Sequence, residues 1–483
     1  MELRKKTISG MFWSFTDYVG NQLVQFVIGI ILARLLTPSD YGLVGIVMVF
    51  IIISQTFVDS GFSQALIRKM VINKKDYSTV FFFNITISTL IYFTIILISP
   101  YIGSFFHQKE IVPVLKVLSL ILIIDSLMIV QKIILIKNID FKKQAKLSMI
   151  ANISSGIIGI ILAYYGYGVW SLVYRSILNS ILLTSLLWIF TKWKLSFEFS
   201  FESLKEMFNF GSKLLISGLL NTIYNNVNYF IIGKYFPMNE LGFYSRADQF
   251  KNLLSNNFTM TIQRVSYPAL ASIQNDKVKL KYGYKSIIKL TMFISFILMF
   301  GLAAVAKPMV LTLLGEKWLG CVEYLQLLCF AGVLYPLHAL NLNILNVKGR
   351  SDLYLKLEII KKILVVPVII IGIAIGIKAM IIGMIVNSII AYYINAYYSG
   401  RLISYPIKEQ FKDIFPSFAL SLTVGIIVFI IGNIIPLSAI IKLIVQILLG
   451  IGLTVLFSEI VKLDEFIEIK KMVNELTSPK THK

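Results

Sequence analysis

Long apolar stretches recur along the whole chain and are separated by short polar segments. Examples are FVIGIIL at 26–32, VVPVIIIGIAIGI at 365–377 and LIVQILLGIGLTVLF at 443–457. A helix needs about 20 mostly apolar residues to cross a bilayer core of roughly 30 Å. The pattern therefore predicts an all-α polytopic membrane protein with about 14 transmembrane helices. The predicted helices lie near 11–33, 41–63, 79–105, 113–136, 146–166, 168–190, 209–233, 240–265, 284–306, 323–346, 352–376, 377–400, 411–433 and 436–458.

The composition supports a membrane protein. The mean hydropathy is +0.78 and only 15% of residues are charged, against roughly 25% in ordinary soluble domains. The first residues, MELRKKTISGMFWSF, are basic and then apolar, as in a signal peptide. The apolar run nevertheless continues past position 30, contains Asp17, Asn21 and Gln25, and is not followed by a small-x-small cleavage site. We therefore expect a retained first helix.

The positive charges are strongly biased towards one side of the predicted membrane. The net charge is +21, which on its own could suggest a nucleic-acid-binding protein. If the N-terminus is inside, the cytoplasmic loops and tails hold 33 of the 46 Lys and Arg residues, and the opposite loops hold 7. This split follows the positive-inside rule, so both termini are predicted to be cytoplasmic. Topology and lipid contact then explain the excess charge, and no nucleic-acid partner is expected.

Two segments that lie 200 residues apart resemble each other. ARLLTPSDYG at 33–42 and GKYFPMNELG at 233–242 share a basic residue, an acid and a glycine at equivalent positions. The matched pairs are Arg34 with Lys234, Asp40 with Glu240, and Gly42 with Gly242. Because six predicted helices separate the two copies, both halves have the same orientation. The chain is therefore predicted to contain parallel repeats related by a pseudo-two-fold axis along the membrane normal.

The repeat divides the chain into two six-helix lobes and two extra C-terminal helices. The predicted division is an N-lobe at 1–190, a cytoplasmic linker at 191–207, a C-lobe at 208–400, helices 13 and 14 at 401–460, and a cytoplasmic tail at 461–483. Within the tail, VKLDEFIEIKKMVNEL (461–476) places apolar residues at helical intervals among charges, which predicts an interfacial amphipathic helix. Architectures of this kind commonly bind substrate between the lobes, near the midplane.

Polar side chains form a stripe on the first helix of each predicted lobe. At about 100° per residue, Asp17, Asn21 and Gln25 share one face of helix 1. Asn221 and Asn225 share the matching face of helix 7, and Asn221 lies 200 residues after Asn21. An isolated amide in a membrane helix is often only interhelical glue. Two stripes at equivalent positions favour a substrate-binding role, because side chains that only hold helices together need not follow the repeat.

Three cations are candidates for an anion-binding site within the membrane. They are Arg246 and Lys251 on predicted helix 8 and Arg175 on predicted helix 6. A centrally placed Arg or Lys costs roughly 2.5–3.5 kcal/mol even on the lenient insertion scale. We expect these side chains to face a water-filled cavity that suits an anionic substrate. A purely structural role is the alternative for each of them.

Four acids also lie within predicted helices, and they are the candidates for ion or proton coupling. They are Asp17, Asp59, Asp125 and Asp248. Burial away from cations favours the protonated form of a carboxylate, which a proton carrier requires. Asp248 is the weakest candidate, because Lys251 lies three residues further on and can pair with it. Asp125 lies near the midplane of helix 4, where it could instead neutralise a cation.

Four short motifs resemble a known transporter family. They are LGFYSRADQF (241–250), VSYPALASIQND (265–276), LLGEKW (313–318) and NVKGRSD (346–352). They are similar to the polysaccharide-exporter branch of the multidrug/oligosaccharidyl-lipid/polysaccharide (MOP) flippase superfamily, and most of all to the colanic-acid and teichuronic-acid exporters. The resemblance runs over essentially the whole chain, and the motifs occur in the right order.

The resemblance implies a fourteen-helix, two-lobed transporter with a central cationic cavity. Such a protein would flip undecaprenyl-pyrophosphate-linked oligosaccharides, precursors of polysaccharide or lipopolysaccharide, across the bacterial cytoplasmic membrane by alternating access. Arg246 falls in the family-like YSRA segment. Arg suits phosphate geometry through its planar fork, and Lys acts as a point charge. The expected partners are the lipid-linked oligosaccharide, membrane lipids and a coupling ion, H⁺ or Na⁺, with a monomer working beside polysaccharide assembly enzymes.

Two other functions stay open from the sequence. A drug or cation antiporter of the same superfamily would prefer an acidic cavity and typically has twelve helices, whereas the candidates here lean cationic. A membrane polysaccharide polymerase or glycosyltransferase would need a loop or domain that holds an acid, a base or a metal. The three histidines His107, His338 and His482 are scattered, and no carboxylate or His/Cys cluster suggests a metal site. We therefore expect no catalytic residue, metal or cofactor.

Overall fold

The chain is almost entirely helical in the computed structural model. The structure describes residues 2–59, 61–69, 72–191 and 193–477. Within 2–18, the side chain that it describes is that of Trp13. The first ten helices are α1 (Glu2–Leu35), α2 (Pro38–Asp59), α3 (Phe62–Arg68), α4 (Lys74–Phe105), α5 (Ile111–Leu118), α6 (Leu120–Ser126), α7 (Ile129–Lys137), α8 (Phe141–Tyr164), α9 (Val169–Phe190) and α10 (Phe201–Tyr235). The others are α11 (Met238–Ser272), α12 (Lys277–Leu313), α13 (Gly320–Gly332), α14 (Tyr335–Val347), α15 (Ser351–Ile375), α16 (Ile377–Ile403), α17 (Ile407–Ile434), α18 (Ala439–Val461) and α19 (Asp464–Thr477). Those described ranges contain no strand, and the predicted all-α fold is confirmed.

The helices are long and apolar enough to make a multi-pass membrane protein. Within the described residues nine spans meet the length and composition of a membrane crossing, and a tenth is added if the bent segment from α5 to α7 counts as one span. Four other long helices, α1, α10, α11 and α15, coincide with predicted spans and carry charged residues along their length. The predicted number of 14 spans stays a prediction.

Two compact units are formed, Met1–Gly242 and Phe243–Lys483. In the first unit, α10 packs against α2, α3 and α4. The hydroxyl oxygens of Thr56 on α2 and Thr222 on α10 lie 3.2 Å apart. The first unit therefore includes α10, which is predicted from the sequence to belong to the C-lobe. The lobe boundaries stay a prediction.

Asp76 anchors the beginning of α10 to the beginning of α4. Asn73 and Asp76 form a capping box on α4, and Asp76 also accepts a hydrogen bond from Ser203 Oγ at 2.7 Å. Lys69 Nζ lies 3.2 Å from Asp76 and 3.0 Å from Glu206. Partial burial acts to lower the pKa of the Lys69 ammonium, but its bonds to Glu206 and Asp76 outweigh this and raise the pKa.

In the second unit, α12 is packed on several sides by α13, α17 and α18. Phe296 and Phe300 of α12 are buried, and their ring centroids lie 5.3 and 5.5 Å from that of Phe418 on α17. The large buried rings make α12 the centre of this unit, because each aromatic side chain removes a large apolar area from solvent.

The C-terminal helix α19 packs onto the same unit. Leu463 and Phe466 join the apolar cluster around α12 and α17, and Lys289 Nζ lies 2.9 Å from Asp464. A helix occupies Asp464–Thr477, over most of the segment predicted to be helical at 461–476, and its interfacial position stays a prediction. Its apolar face is thus held by packing as well as by charge pairing.

The fourth predicted helix of the first repeat is broken, contrary to the continuous helix predicted at 113–136. It consists of α5, α6 and α7, with a bend of 42° before α7. The carbonyl of Ile124 accepts from Thr184 Oγ1 at 3.2 Å, and that of Leu127 accepts from Trp188 Nε1 at 2.9 Å. Side chains of α9 therefore satisfy backbone groups near the bend, as an apolar environment requires.

The equivalent helix of the second repeat, predicted as 323–346, is interrupted for two residues between α13 and α14, although Gly320–Val347 still makes one span without a bend above 40°. The carbonyl of Gly332 accepts from Ser255 Oγ at 3.2 Å, and that of Val333 accepts from Ser295 Oγ at 3.0 Å. The sequence marks this break by a glycine at 332 and a proline near the start of α14. No Gly or Pro marks the break in the first repeat, so its position could not be predicted.

The repeated glycines mark a close backbone crossing. A Cβ atom built at Gly42 would lie 1.9 Å from the carbonyl oxygen of Met238, and one at Gly242 would lie 1.9 Å from that of Pro38. No side chain fits in either place. The beginnings of α2 and α11 therefore touch backbone to backbone, each glycine against the first residue of the other helix.

Candidate functional site

Arg246 is a buried cation on α11. Its side chain donates from Nη1 to Gln249 Oε1, and the guanidinium carbon lies 5.9 Å from the centroid of the Trp318 ring. Arg246 and Gln249 lie three residues apart on one face of the helix. Only 7% of Arg246 is exposed, which is less than a side chain facing a wide water-filled cavity would show. The predicted substrate contact therefore stays a proposal for this residue.

Lys251 forms an ion pair with Asp248 on the same helix. The Nζ to Oδ1 distance is 2.7 Å, and the two side chains are 15% and 14% exposed. Asn252 Nδ2 donates to the other carboxylate oxygen at 2.8 Å. The predicted pairing at i, i+3 is confirmed. A Cβ at Gly332 would lie 3.0 Å from Lys251 Cδ, so the lysine stem passes directly beside the break between α13 and α14.

Arg175 and Asn21 lie in the first unit, where both contact α8. Arg175 is half-buried on α9, and a Cβ at Gly159 would lie 2.9 Å from its Cβ. Asn21 donates from Nδ2 to Ser148 Oγ at 2.8 Å and accepts from Asn152 Nδ2 at 2.7 Å. Asn21 therefore joins α1 to α8 as interhelical glue does, and its predicted substrate role stays a proposal.

The other predicted amides lie at exposed positions. They are Gln25 on α1 and Asn221 and Asn225 on α10. Their exposure is compatible with contact to a ligand, and their substrate role also stays a proposal.

Two of the four candidate acids carry little support as coupling groups, and a third, Asp17, lies outside the described side chains. Asp59 accepts from the backbone N of Ser63 at 3.3 Å and from the hydroxyl of the same residue. It therefore caps the beginning of α3. Asp248 is held by Lys251, as described above.

Asp125 is the acid with the most unusual surroundings. It lies just before the bend between α6 and α7, and its Oδ2 accepts from Gln55 Nε2 at 3.1 Å. Its Oδ1 is buried and has no hydrogen-bond partner within the described ranges. The Lys132 ammonium on α7 and the Ser180 hydroxyl on α9 also act on this carboxylate. A buried charged oxygen without a partner is costly, and the predicted role of Asp125 in ion coupling stays a proposal.

Two buried amides near this region were not singled out from the sequence. Asn84 on α4 and Gln131 on α7 are fully buried, and their side-chain N and O atoms have no hydrogen-bond partner in the part of the chain that the structure describes. Ser88 and Ser126, close by on α4 and α6, are joined by a hydrogen bond of 3.1 Å. The first unit thus contains a polar interior along α4 and the broken helix. In the sequence, the signal for this polar interior is a single amide in each of two apolar helices.

An apolar cavity of about 480 Å³ lies between α12, α17 and α18. Gly301, Gly425 and Gly450, one from each helix, line it, and a Cβ at Gly301 would meet no atom within 4 Å. The polar lining includes Gln446, whose Nε2 donates to the Val428 carbonyl at 2.8 Å. A lining of this kind suits a hydrocarbon chain better than a polar group.

The fold is similar to those of solved membrane transporters. The structure of lipid II flippase MurJ in an inward closed conformation matches with a TM-score of 0.77 at 17% identity, over 93% of this chain and 98% of that one. An inward-facing multidrug resistance MATE family transporter of the MOP superfamily matches with a TM-score of 0.61 at 19% identity, over 80% and 94% of the two chains. The chain therefore shares its fold with these two proteins.

The sequence comparisons identify the family within that class. The profile of the family described as "Polysaccharide biosynthesis protein" matches residues 31–323, and the chain belongs to this family. The chain is 27% identical over 381 residues to the lipopolysaccharide biosynthesis protein WzxC of Escherichia coli (strain K12), covering 77% of this chain and 76% of WzxC. It is 25% identical over 359 residues to the teichuronic acid biosynthesis protein TuaB of Bacillus subtilis (strain 168), covering 73% of each. The predicted resemblance to polysaccharide exporters is confirmed.

Proposed function

We propose that the chain carries a lipid-linked oligosaccharide, a precursor of a surface polysaccharide, across the bacterial cytoplasmic membrane by alternating access. The observation that carries this proposal is the family match over 31–323 on the fold of a membrane transporter. A third relative, 24% identical over 325 residues, is named as a succinoglycan biosynthesis transport protein of Rhizobium meliloti (strain 1021). These names and the fold favour transport over an enzymatic function.

The three chemical parts of such a substrate have counterparts in the chain. A polyprenyl tail needs an apolar surface, which the cavity between α12, α17 and α18 supplies. A pyrophosphate needs cations, and we propose Lys251, Arg175 and Arg246 for this role. Burial of Arg246 against Trp318 makes it the least accessible of the three. Sugar hydroxyls need exposed amides, as on α1 and α10.

Coupling to an ion is best supported at Asp125. Among the four acids, it is the one whose described surroundings leave a buried carboxylate oxygen without a hydrogen bond. A proton or a small cation would remove the energetic cost of that oxygen. We propose that occupation of this site by H⁺ or Na⁺ is linked to the movement of substrate.

The test is a flipping assay with purified protein in liposomes. The lipid is an undecaprenyl-pyrophosphate-linked oligosaccharide with a labelled sugar, and an impermeant glycosidase outside cleaves only glycans of the outer leaflet. We expect the cleaved fraction to exceed that of protein-free liposomes. Arg175→Gln should reduce it, whereas Lys378→Gln should not. Lys378 is a matched control, because it is 58% exposed and pairs with exposed Glu323.

The same samples separate the competing functions. A polymerase would lengthen the labelled glycan, and a drug antiporter would move a cationic dye instead of the glycan. A cleaved fraction equal to that of protein-free liposomes, with correctly inserted protein, would contradict the proposal.

We further propose that the transporter works as a monomer beside the polysaccharide assembly enzymes, with both termini in the cytoplasm. The charge bias of the loops supports this orientation.

A further inference from the structure

A second polar network lies within the second unit, on α12, α14 and α16. His338 is in the first turns of α14, directly after the break that separates it from α13. Its Nε2 lies 3.0 Å from Ser388 Oγ, and its Nδ1 lies 3.5 Å from Asn395 Nδ2. Both ring nitrogens therefore face polar side chains of α16, in the middle of an otherwise apolar helix pair.

The partners of the ring suit both of its protonation states. A neutral imidazole has one donor and one acceptor, whereas the protonated ring has two donors. With Asn395 Nδ2 facing Nδ1, the neutral ring accepts there and donates from Nε2 to Ser388. Asn395 is fully buried, and its Oδ1 has no partner within the described ranges. Turning this amide over would present Oδ1 to Nδ1 and give a protonated ring its second acceptor.

The turn that carries His338 is held by a neighbouring set of hydrogen bonds. The hydroxyl of Tyr284 on α12 donates to Asn341 Oδ1 at 3.0 Å, and the hydroxyl of Ser399 on α16 donates to the same oxygen. Asn341 Nδ2 donates to the carbonyl of Leu337 at 3.0 Å. These bonds fix the backbone directly before His338 and keep the imidazole in place.

Burial of the ring, and then the charged groups on a neighbouring helix, set the cost of a proton on His338. On α15, the Lys361 ammonium acts on His338 and forms an ion pair with Glu358. The positive charge of Lys361 disfavours a second positive charge on His338, and the negative charge of Glu358 offsets that effect. Proton uptake at His338 therefore depends on how tightly this pair is held.

Other titratable groups surround the network. Tyr284 on α12 and Tyr392 on α16 are neutral phenols at ordinary pH, and the Lys251–Asp248 pair of α11 lies against Gly332 at the other side of the break. Within the described residues, His338 is thus the group of this network whose ordinary titration range lies nearest to neutral pH.

We propose that His338 binds and releases a proton during transport and forms the ion site of the second half of the chain. The inference rests on the proposed transport function and deepens it, because it names the ion. Asp125 and His338 each lie beside the break in the fourth helix of a repeat, where transporters commonly build ion sites from discontinuous helices. An imidazole nitrogen is a poor ligand for Na⁺, since hard cations prefer oxygen, so this site specifies a proton.

The direct test measures the proton itself. The full chain is labelled with ¹⁵N-histidine in lipid nanodiscs, where its three histidines give distinguishable imidazole signals. We expect one signal to change from the neutral to the protonated pattern as the pH falls from about 8, to be absent in H338Q and to persist in the control H107Q. Asn395→Asp should move the change to higher pH by about one unit or more, since it places an opposite charge beside the ring. A His338 signal that stays neutral throughout, or that Asn395→Asp leaves unmoved, would overturn the proposal.

The transport test uses the flipping assay with and without a proton gradient. H338Q should lose the stimulation by the gradient, whereas H107Q should keep it. Stimulation retained by H338Q would overturn the coupling role. If the wild-type chain moves no lipid-linked oligosaccharide, the proposed function fails, and the nuclear magnetic resonance titration still decides whether His338 binds a proton.

Discussion

At the scale of single residues, the charges inside the described helices are engaged by neighbours. Lys251 is paired with Asp248, Arg246 lies over Trp318, and Asp59 caps α3. Asp125 differs, because one of its oxygens is buried without a partner in the described part of the chain. The contacts of each charged side chain therefore distinguish structural charges from a coupling candidate better than its depth in the membrane does.

The Lys251–Asp248 pair predicts a coupled response to mutation. Lys251→Gln should leave a partly buried carboxylate uncompensated, which costs up to about 3–5 kcal/mol in a buried pair. Asp248→Asn should be milder, and the double variant should regain most of the loss. Thermal unfolding midpoints of the four proteins in detergent measure this cycle. If the shifts of the two single variants simply add up in the double variant, the two charges do not stabilise each other. A stable double variant that cannot transport would indicate that Lys251 contacts the substrate.

Asp125 predicts a loss of ion coupling without a loss of fold. Asp125→Asn keeps the shape of the side chain and removes its charge, so transport should no longer respond to an ion gradient. Asp59→Asn is the matched control, because it weakens a helix cap at a cost of about 1 kcal/mol and should keep the gradient response. The readout is the flipping rate with and without the gradient, divided by the amount of inserted protein. Full gradient dependence in Asp125→Asn would exclude it as the coupling acid.

At the scale of elements, the two broken helices are the main departure from the expected fold. A hydropathy pattern shows that 113–136 and 323–346 are apolar enough to span a membrane, but it does not show whether the backbone is continuous. The first break depends on hydrogen bonds from Thr184 and Trp188 on a different helix. Such long-range partners leave no local signal in the sequence, so the break could not be predicted.

The capping of the first break can be tested with two tryptophans that pack on one ring. Trp188→Phe removes the donor to the Leu127 carbonyl and should lower stability by about 1–3 kcal/mol. Trp193→Phe is the matched control, since both indoles contact Phe81, with centroids 5.8 and 5.4 Å away. Thermal unfolding in detergent compares the two variants. Equal losses would show that aromatic packing, rather than the capping bond, accounts for the effect.

At the scale of the whole molecule, the sequence predicted the class and the family better than the details of the site. Hydropathy and the loop charges were sufficient for an all-α membrane protein, and the motifs around Arg246 were sufficient for the family. The site was harder, because exposure of a polar side chain depends on packing. Asn21, predicted as a ligand, also joins two helices, while Asn84 is a buried amide and His338 lies in a polar network, and no periodicity marks either of them.

The orientation of the chain in the membrane is a prediction about the whole molecule. Single cysteines replace Lys74, Ser351 and Asn239, which are exposed, and an impermeant thiol reagent is added to intact cells. Asn239→Cys should react, whereas the other two should react only after the membrane is opened. The native Cys321 and Cys329 are buried and give little background. Labelling of Lys74→Cys or Ser351→Cys in intact cells would reverse the topology.

The reciprocal crossing of Gly42 and Gly242 bears on how the protein originated. Each glycine meets the first residue of the helix that carries the other, so the contact is self-complementary, like the isologous interface of a two-fold symmetric dimer. A six-helix ancestor that paired with a second copy of itself would make this contact with a single glycine used twice. Pro38 and Met238 differ between the two copies, and the contact tolerates this because it is their backbones that meet the glycines. The two glycines lie at the same distance from the start of their helices, as descent from one repeated segment would require.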